Sequence, residues 1–419
     1  MRKNLNKIVA FAIGVSVISG SIVPAMAADI INTDTIVNTQ TQASTEKKVL
    51  TVDDAVKAAI ANSDTLKLLD KSINYTEKMN NLSKDLDDTN NTLKDDDKDY
   101  TEDKRDFELK SLKQKRKFNE DVLSNTVNDL YNSIVTKQID IENLQKKLEL
   151  LNKNFNDIKL KNELGLATSI DAQDFQLNVK QLEDALKTSQ DQLKVFQYNL
   201  KNYIGLDVSS YTLNKDIDYD VLEIDGSVDS YLDEIVEDYI KLTYKEDIIE
   251  LNKDYYDDNK VSDPGSFTQK EPVKDDYYDE TTNSYPGYDN ALNSYKKNLE
   301  NYKVNLQLRL QYLGNKLSNY TDETTLSETK KQFKQTLRNY YMLLEKTKSD
   351  IDRKQQEILI NNTKLRNMKI KYDLGMITKN EYDSRVLDNQ GLALDLRNSI
   401  LDYNDYKNKI EKPWITLTL

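Results

Sequence analysis

From Leu123 onward, apolar residues recur at steps of three and four: Leu123, Val127, Leu130, Ile134, Ile141, Leu144, Leu148, Leu151, Phe155 and Ile158, with Lys137 the one polar member. That spacing is a heptad seam, narrower than the apolar face of a helix in a thick core. It predicts a helix over 123–163, about 60 Å long at 1.5 Å per residue. The seam resumes as Phe175, Val179, Leu182, Leu186, Leu193, Phe196, Leu200 and Tyr203, and Gly205 closes it. Long helices joined by a few residues must pack antiparallel, so the pattern predicts a helical hairpin. The plan then repeats. Phe333, Leu337, Tyr340, Leu344, Ile351, Ile358, Leu365, Met368 and Tyr372 run one way; Tyr382, Val386, Ala393, Leu396, Ile400 and Tyr403 run back. Thr347, Lys354 and Asn361 interrupt this second seam. Polar seam residues set register or oligomer state at some cost in stability, and that reading is preferred here. The alternative is that they face a wet channel between assembled chains.

The two turns between the arms match, 210 positions apart: Lys161-Asn162-Glu163-Leu164-Gly165-Leu166-Ala167-Thr168-Ser169-Ile170-Asp171 and Lys371-Tyr372-Asp373-Leu374-Gly375-Met376-Ile377-Thr378-Lys379-Asn380-Glu381. Gly165 and Gly375 suit the left-handed position that ends a helix. Leu166 and Met376 fall where a Schellman ending makes an apolar contact back onto the last turn. Thr168 and Thr378 suit N-caps, with Asp171 and Glu381 as the acidic partners of capping boxes. One such corner is only a good turn between helices; two equal corners predict a duplicated architecture.

Elsewhere the pattern is looser. Thr51 and Asp54 fit a capping box, followed by a small-residue face of Ala55, Ala58, Ala59 and Leu66. Leu86, Leu93, Tyr100 and Phe107 lie seven apart, a helical seam in an otherwise Lys-, Asp- and Asn-rich stretch. Residues 206–227 form a polar and β-branched linker with room for short strands, and 228–251 reads as one helix. Residues 254–289 are rich in Tyr and Asp, with Pro-Gly turn signals at Pro264 and Pro286, and read as a loop too polar for a core. Helix resumes near Asn290, with a break expected around Gly314 to Thr325. The tail after Pro413 alternates like a short strand.

Composition narrows the chemistry. Charged residues make up 31% and hydrophobic residues 37%, with ten glycines and five prolines, which suits long solvated helices rather than a compact globule. With no Cys, disulfides and thiolate sites are closed. With no His, the commonest general base and metal ligand is missing. No catalytic residue, cofactor or metal is expected; the carboxylates show no calcium-loop spacing. A net charge of −13 argues against nucleic acid as a partner. The first 27 residues read as a signal peptide: Arg2, Lys3 and Lys7, an apolar run, then Ala25-Met26-Ala27. The alternative, a membrane anchor, has too short an apolar run to span comfortably.

A signal peptide, a Leu-Thr-x-x-Asp-Ala helix start at Leu50, and two hairpins each tipped by Gly-x-x-Thr-x-x-Asp/Glu together resemble the TolC family of outer-membrane efflux proteins, over roughly residues 50–411. The resemblance implies an all-α chain of elongated, duplicated helical hairpin coiled coils, the protomer of a helical barrel. It implies a homotrimer in the cell envelope, with an adaptor of the periplasmic type and an inner-membrane pump docking at the tips. Gly165, Thr168 and Asp171 would stand at one tip; Gly375, Thr378 and Glu381 at the other, with Tyr372 and Glu381 lining the aperture. The family often has an Arg where Ile377 stands, so no latch through that position carries over. Family members also insert strand pairs to build a β-barrel. The equivalent segments here, 81–115 and 254–289, are too charged to face lipid, so a TolC-like helical body without a conventional barrel is expected.

The expected organisation is signal peptide 1–27, flexible leader 28–49, first repeat 50–205, linker 206–227, second repeat 228–411 with the insert 254–289, and tail 412–419. The expected function is a passive efflux or export conduit. The alternative is an envelope spacer or interaction protein that uses the same hairpins without a pore.

Overall fold

The computed structural model describes residues 48–89 and 94–417. The expected signal peptide, nearly all of the leader, Leu93 and the last two residues lie outside the described residues. The described chain is mostly helical: α1 (Val52–Asn62), α2 (Asp64–Thr89), α3 (Asp95–Glu163), α4 (Ser169–Ile204), α5 (Val228–Thr243), α6 (Lys245–Asp258), α7 (Tyr288–Asp373) and α8 (Lys379–Glu411). One parallel pair of two-residue strands, β1 (Val49–Leu50) and β2 (Thr212–Leu213), joins the start of the first repeat to the linker. At 1.5 Å per residue, α3 is about 100 Å long and α7 about 130 Å.

Helices α3 and α4 form one hairpin, α7 and α8 the other, and α3 packs beside α8. Helix α2 folds back along α3, and α6 fits between α3 and α7. The chain is therefore a layer of four helices at either end: α4, α3, α8, α7 towards the tips, and α2, α3, α6, α7 away from them. Each repeat closes a small core where short helices meet its hairpin. In the first, α1 sets Ala55 and Ala59 against Val127, Ile134, Leu200 and Ile204. In the second, α5 sets Leu232, Val236 and Ile240 against Phe333, Leu337 and Tyr403.

Buried tyrosines pin the linker between these cores. The Tyr131 hydroxyl donates to Leu50 O (2.7 Å) and accepts from Asn214 N (2.7 Å), while Tyr403 Oη accepts from Leu222 N (2.9 Å). A buried backbone group without a partner is costly, so each hydroxyl completes a backbone pairing that the irregular linker cannot supply for itself.

Several expectations need correction. Helix α7 runs without a break through Gly314 to Thr325. One glycine costs about 1 kcal/mol in a helix, and packing outweighs it: Asn319 Nδ2 donates to Ile249 O (3.0 Å) and Leu326 is buried. The threonines bond back along their own helix, Thr321 to Leu317 O and Thr324 to Tyr320 O. The helix expected over 228–251 is instead α5 and α6, separated at Tyr244 in the left-handed region (φ 59°). The described part of the tail holds a 3-10 turn at Pro413–Ile415 rather than a strand; Trp414 Nε1 donates to Asp121 Oδ2 (3.0 Å) and its ring stacks on Phe118. The first return seam ends on Ile204, with Tyr203 left 41% exposed, because over its last turn the helix keeps its own period rather than 3.5. Only half of the Thr51 box forms, the hydroxyl accepting from Asp54 N. Leu86 is exposed, whereas Tyr100 stacks on Tyr255 and Phe107 meets Tyr244, so the seven-residue spacing straddles two helices rather than running along one. Of the polar seam residues, Lys354 reaches across to Ser399 Oγ (2.7 Å) and Asp395 O (3.0 Å) on α8, whereas Thr347 bonds back to Leu343 O on its own helix.

Candidate functional site at the hairpin tips

Both corners fold by the same bonds. Gly165 stands at φ +71° and Gly375 at φ +70°. Leu166 N bonds Lys161 O (2.7 Å) and Gly165 N bonds Asn162 O (3.0 Å); Met376 N bonds Lys371 O (2.8 Å) and Gly375 N bonds Tyr372 O (2.9 Å). These are Schellman endings, in which a residue with Cβ would be strained at the glycine. The helix starts also match. Asp171 N donates to Thr168 Oγ1 (3.1 Å) while Thr168 N donates to Asp171 Oδ2 (2.9 Å). Glu381 N donates to Thr378 Oγ1 (3.2 Å) while Thr378 N donates to Glu381 Oε2 (2.7 Å).

The apolar contact expected from Leu166 and Met376 does not bury them. The residues one Schellman step back are Lys161 and Lys371, which offer only a stem to cover. Leu164 and Leu166 remain 65% and 75% exposed, Leu374 and Met376 69% and 67%. Each tip thus presents at least two open apolar side chains. The tips differ in one respect. At the second, Tyr372 stacks on Tyr382 (centroids 5.7 Å, planes 13° apart) with Lys369 over both rings. At the first, Asn162 Nδ2 instead braces Ala167 O (2.9 Å).

A polar seam between α3 and α8 sets the relative height of the tips. Asp121 pairs with Lys412, Asn125 with Asn408, Thr136 with Arg397 and Asn154 with Asn380. The Asn154–Asn380 bond lies eleven residues before Gly165 and five after Gly375. Both tips therefore stand at one end, the first projecting about 9 Å further. Below them, α3, α7 and α8 line a groove of about 1030 Å³ that includes Asn361, Met368 and Gly391. The sequence reading named the glycines and caps of the tips. It does not reach Asn154, Asn380 and Arg397, polar residues whose partners lie 182 or more positions away and leave no periodic trace.

Capping makes the tips sensitive to acid. The hydroxyl and then the N–H of Thr168 hold the Asp171 carboxyl below the usual carboxylate range; the N–H and then the hydroxyl of Thr378 do the same for Glu381. A carboxyl lowered in the folded state adds stability above its ordinary pKa of about 4 and loses it as pH falls through the lowered value. Tip amide protection, corrected for intrinsic exchange, is expected to hold at neutral pH and fall as pH drops below about 4. In Asp171→Asn the first tip should lose this dependence. Equal protection at both tips in acid and neutral solution would count against it.

No family model matches the sequence, and no curated protein matches it. Solved structures do match. A membrane protein from Pseudomonas aeruginosa aligns at TM-score 0.54 and 12% identity, over 87% of this chain and 93% of that one. The CmeC outer membrane channel of Campylobacter jejuni aligns at 0.52 and 13%, over 87% and 85%. The outer-membrane channel OprN aligns at 0.52 and 8%, over 87% and 90%. The fold is TolC-like. In this TolC-like chain the described parts of the segments expected to depart from a barrel, 81–115 and 254–289, are the end of α2, the start of α3, the end of α6, a mostly non-helical strap over 259–287 and the first residues of α7. Among the described residues the only other strand pairing is an isolated bridge, Asp279–Ser284. No described helix is long and apolar enough to cross a membrane.

Proposed function

We propose that this chain is the protomer of a homotrimeric TolC-like duct of the cell envelope, a passive conduit for efflux or export without catalytic activity of its own. The observation that carries this is the pair of equivalent tips at one end, each closed by the same bonds and each exposing at least two large apolar residues. Rigid corners with open apolar side chains suit docking to helical partners, here an adaptor and an inner-membrane pump. Gly165, Thr168, Asp171, Gly375, Thr378 and Glu381 shape the docking ends. Tyr372, held by Tyr382 and Lys369, and Glu381 line the aperture. One oxygen of Glu381 is committed to the cap, and the other is left to contribute to an acidic ring that favours cations.

Light scattering of the mature chain, followed by imaging of the particle, tests the duct: a closed ring with a central hole is expected, and a monomer or solid dimer would refute it. If a ring forms, Glu381→Gln should lower cation preference in bilayer conductance while leaving the ring intact. An unchanged preference would remove the acidic-ring role. A second reading, a spacer without a pore, draws support from one observation: charged helices occupy 81–89 and 95–115, where barrel strands would be needed.

A further inference from the structure

The end away from the tips carries two apolar seams that the described residues leave largely uncovered. On α2, Leu68, Tyr75, Met79, Leu82 and Leu86 are 46% to 69% exposed, spaced seven, four, three and four apart. On α7, Leu306 is half-buried and Leu310, Leu313, Leu317 and Tyr320 are 47% to 69% exposed, at steps of four and three. Both are coiled-coil seams by spacing.

Their placement says what covers them. Ion pairs lock α2 against α3: Asp87–Arg105 (2.8 Å), Glu77–Lys113 (2.6 Å) and Asp70–Arg116 (2.9 Å). Tyr255 Oη donates to Asp97 Oδ1 (2.7 Å), tying α6 to α3, and Lys316 pairs with Asp257, tying α7 to α6. Every one of these neighbours runs antiparallel to the next, so α2 and α7 are the two free edges of one layer. In a cyclic assembly the edge α2 of one copy faces the edge α7 of the next, and they meet antiparallel, which continues the alternation.

We infer that α2 of one copy packs on the 306–320 stretch of α7 of its neighbour, forming the subunit interface at the end where a barrel would otherwise hold the ring together. The inference rests on the ring proposed above. The flanks fit on balance: on one side Leu69, Thr76 and Ser83 of α2 and Gln307, Gly314 and Thr321 of α7 carry no charge, and on the other Lys71 and Asp85 stand opposite Glu323 and Arg309, with Lys78 and Lys316, the latter already paired with Asp257, the one like-charged couple. Gly314 leaves open space where its Cβ would stand, so a partner helix can approach closely. The ten seam side chains offer on the order of 1,000 Å² to bury, near the lower bound of a specific interface.

The absence of cysteine allows a clean test. The full chain with Leu82→Cys is combined in turn with Leu310→Cys, Leu313→Cys, Leu317→Cys and Tyr320→Cys, then oxidised. At least one pair should give a ladder of covalent dimers and trimers, and each cysteine alone should give none. Covalent dimers from Leu82→Cys alone would mean that α2 meets α2 and would overturn the interface. A ring by light scattering with no cross-link from any pair would overturn the interface and leave the duct standing. A monomer would end both. Because the α7 seam is exposed, Leu310→Glu with Leu317→Glu should keep full helicity while weakening assembly at least tenfold. Unchanged assembly would also refute the interface.

Discussion

Tyr403→Ala is expected to lower the stability of the second repeat by about 4 kcal/mol or more, the sum of a large cavity and an unpaired backbone N–H. Tyr403 is fully buried, packs edge-on against Tyr219 (5.1 Å, 74°) and accepts the bond from Leu222 N. Removing the ring opens the core formed with Leu337, Leu344 and Ile410. Tyr403→Phe separates the two causes. It keeps the ring and drops only the bond, so it should cost about 1–2 kcal/mol and raise amide exchange at Leu222 specifically. Urea unfolding of the two variants at equal chain concentration reads the difference. Equal midpoints for wild type and Tyr403→Ala would show that this core does not hold the repeat.

Arg397→Met is the second large effect, and it acts between the repeats. The guanidinium is 7% exposed, and its acceptors come from α3 and the linker: Thr136 Oγ1 (3.2 Å), Asn132 Oδ1 (3.0 Å) and Lys215 O. Burial pulls its pKa below the usual arginine value, with the fields of Tyr131 and Asp216 opposing. Methionine fills most of the volume but leaves three acceptors without a donor. Hydrogen bonds to a charged group are worth about 1.5–3 kcal/mol each. Relief of the buried charge offsets part of that, leaving a net loss of about 3 kcal/mol. The expected signature is an uncoupling of the hairpins, with faster proteolysis within 206–227 while each hairpin keeps its helicity. Arg397→Lys, able to replace only part of the fork, should fall between. Cleavage of the linker at the wild-type rate in Arg397→Met would show that the hairpins are held without it.

The parts of this architecture that were legible beforehand are those with a period or a local rule. Val127, Ile134, Leu337, Leu344 and Ile351 lie on the seams and are buried where their spacing places them. The corners at Gly165 and Gly375 obey rules contained within about ten residues. The misreadings share a cause. Local propensity alone predicts the break at Gly314, the strand in the tail and the single helix over 228–251, and in each a partner outside the window prevails: α6 along α7, Asp121 under Trp414, and α3 and α7 on either side of α6.

Heptad spacing and turn chemistry alone establish that this chain makes two up-and-down helical pairs with equal corners, because each depends on neighbours a turn or two away. Which pair lies beside which, how far one tip projects past the other, and how tyrosines and Arg397 tie the linker were decided only by the folded arrangement. Those contacts are polar bonds between residues as much as 293 positions apart. A polar side chain carries no period that points to its partner, so its pairing exists only once the apolar seams have brought the helices together.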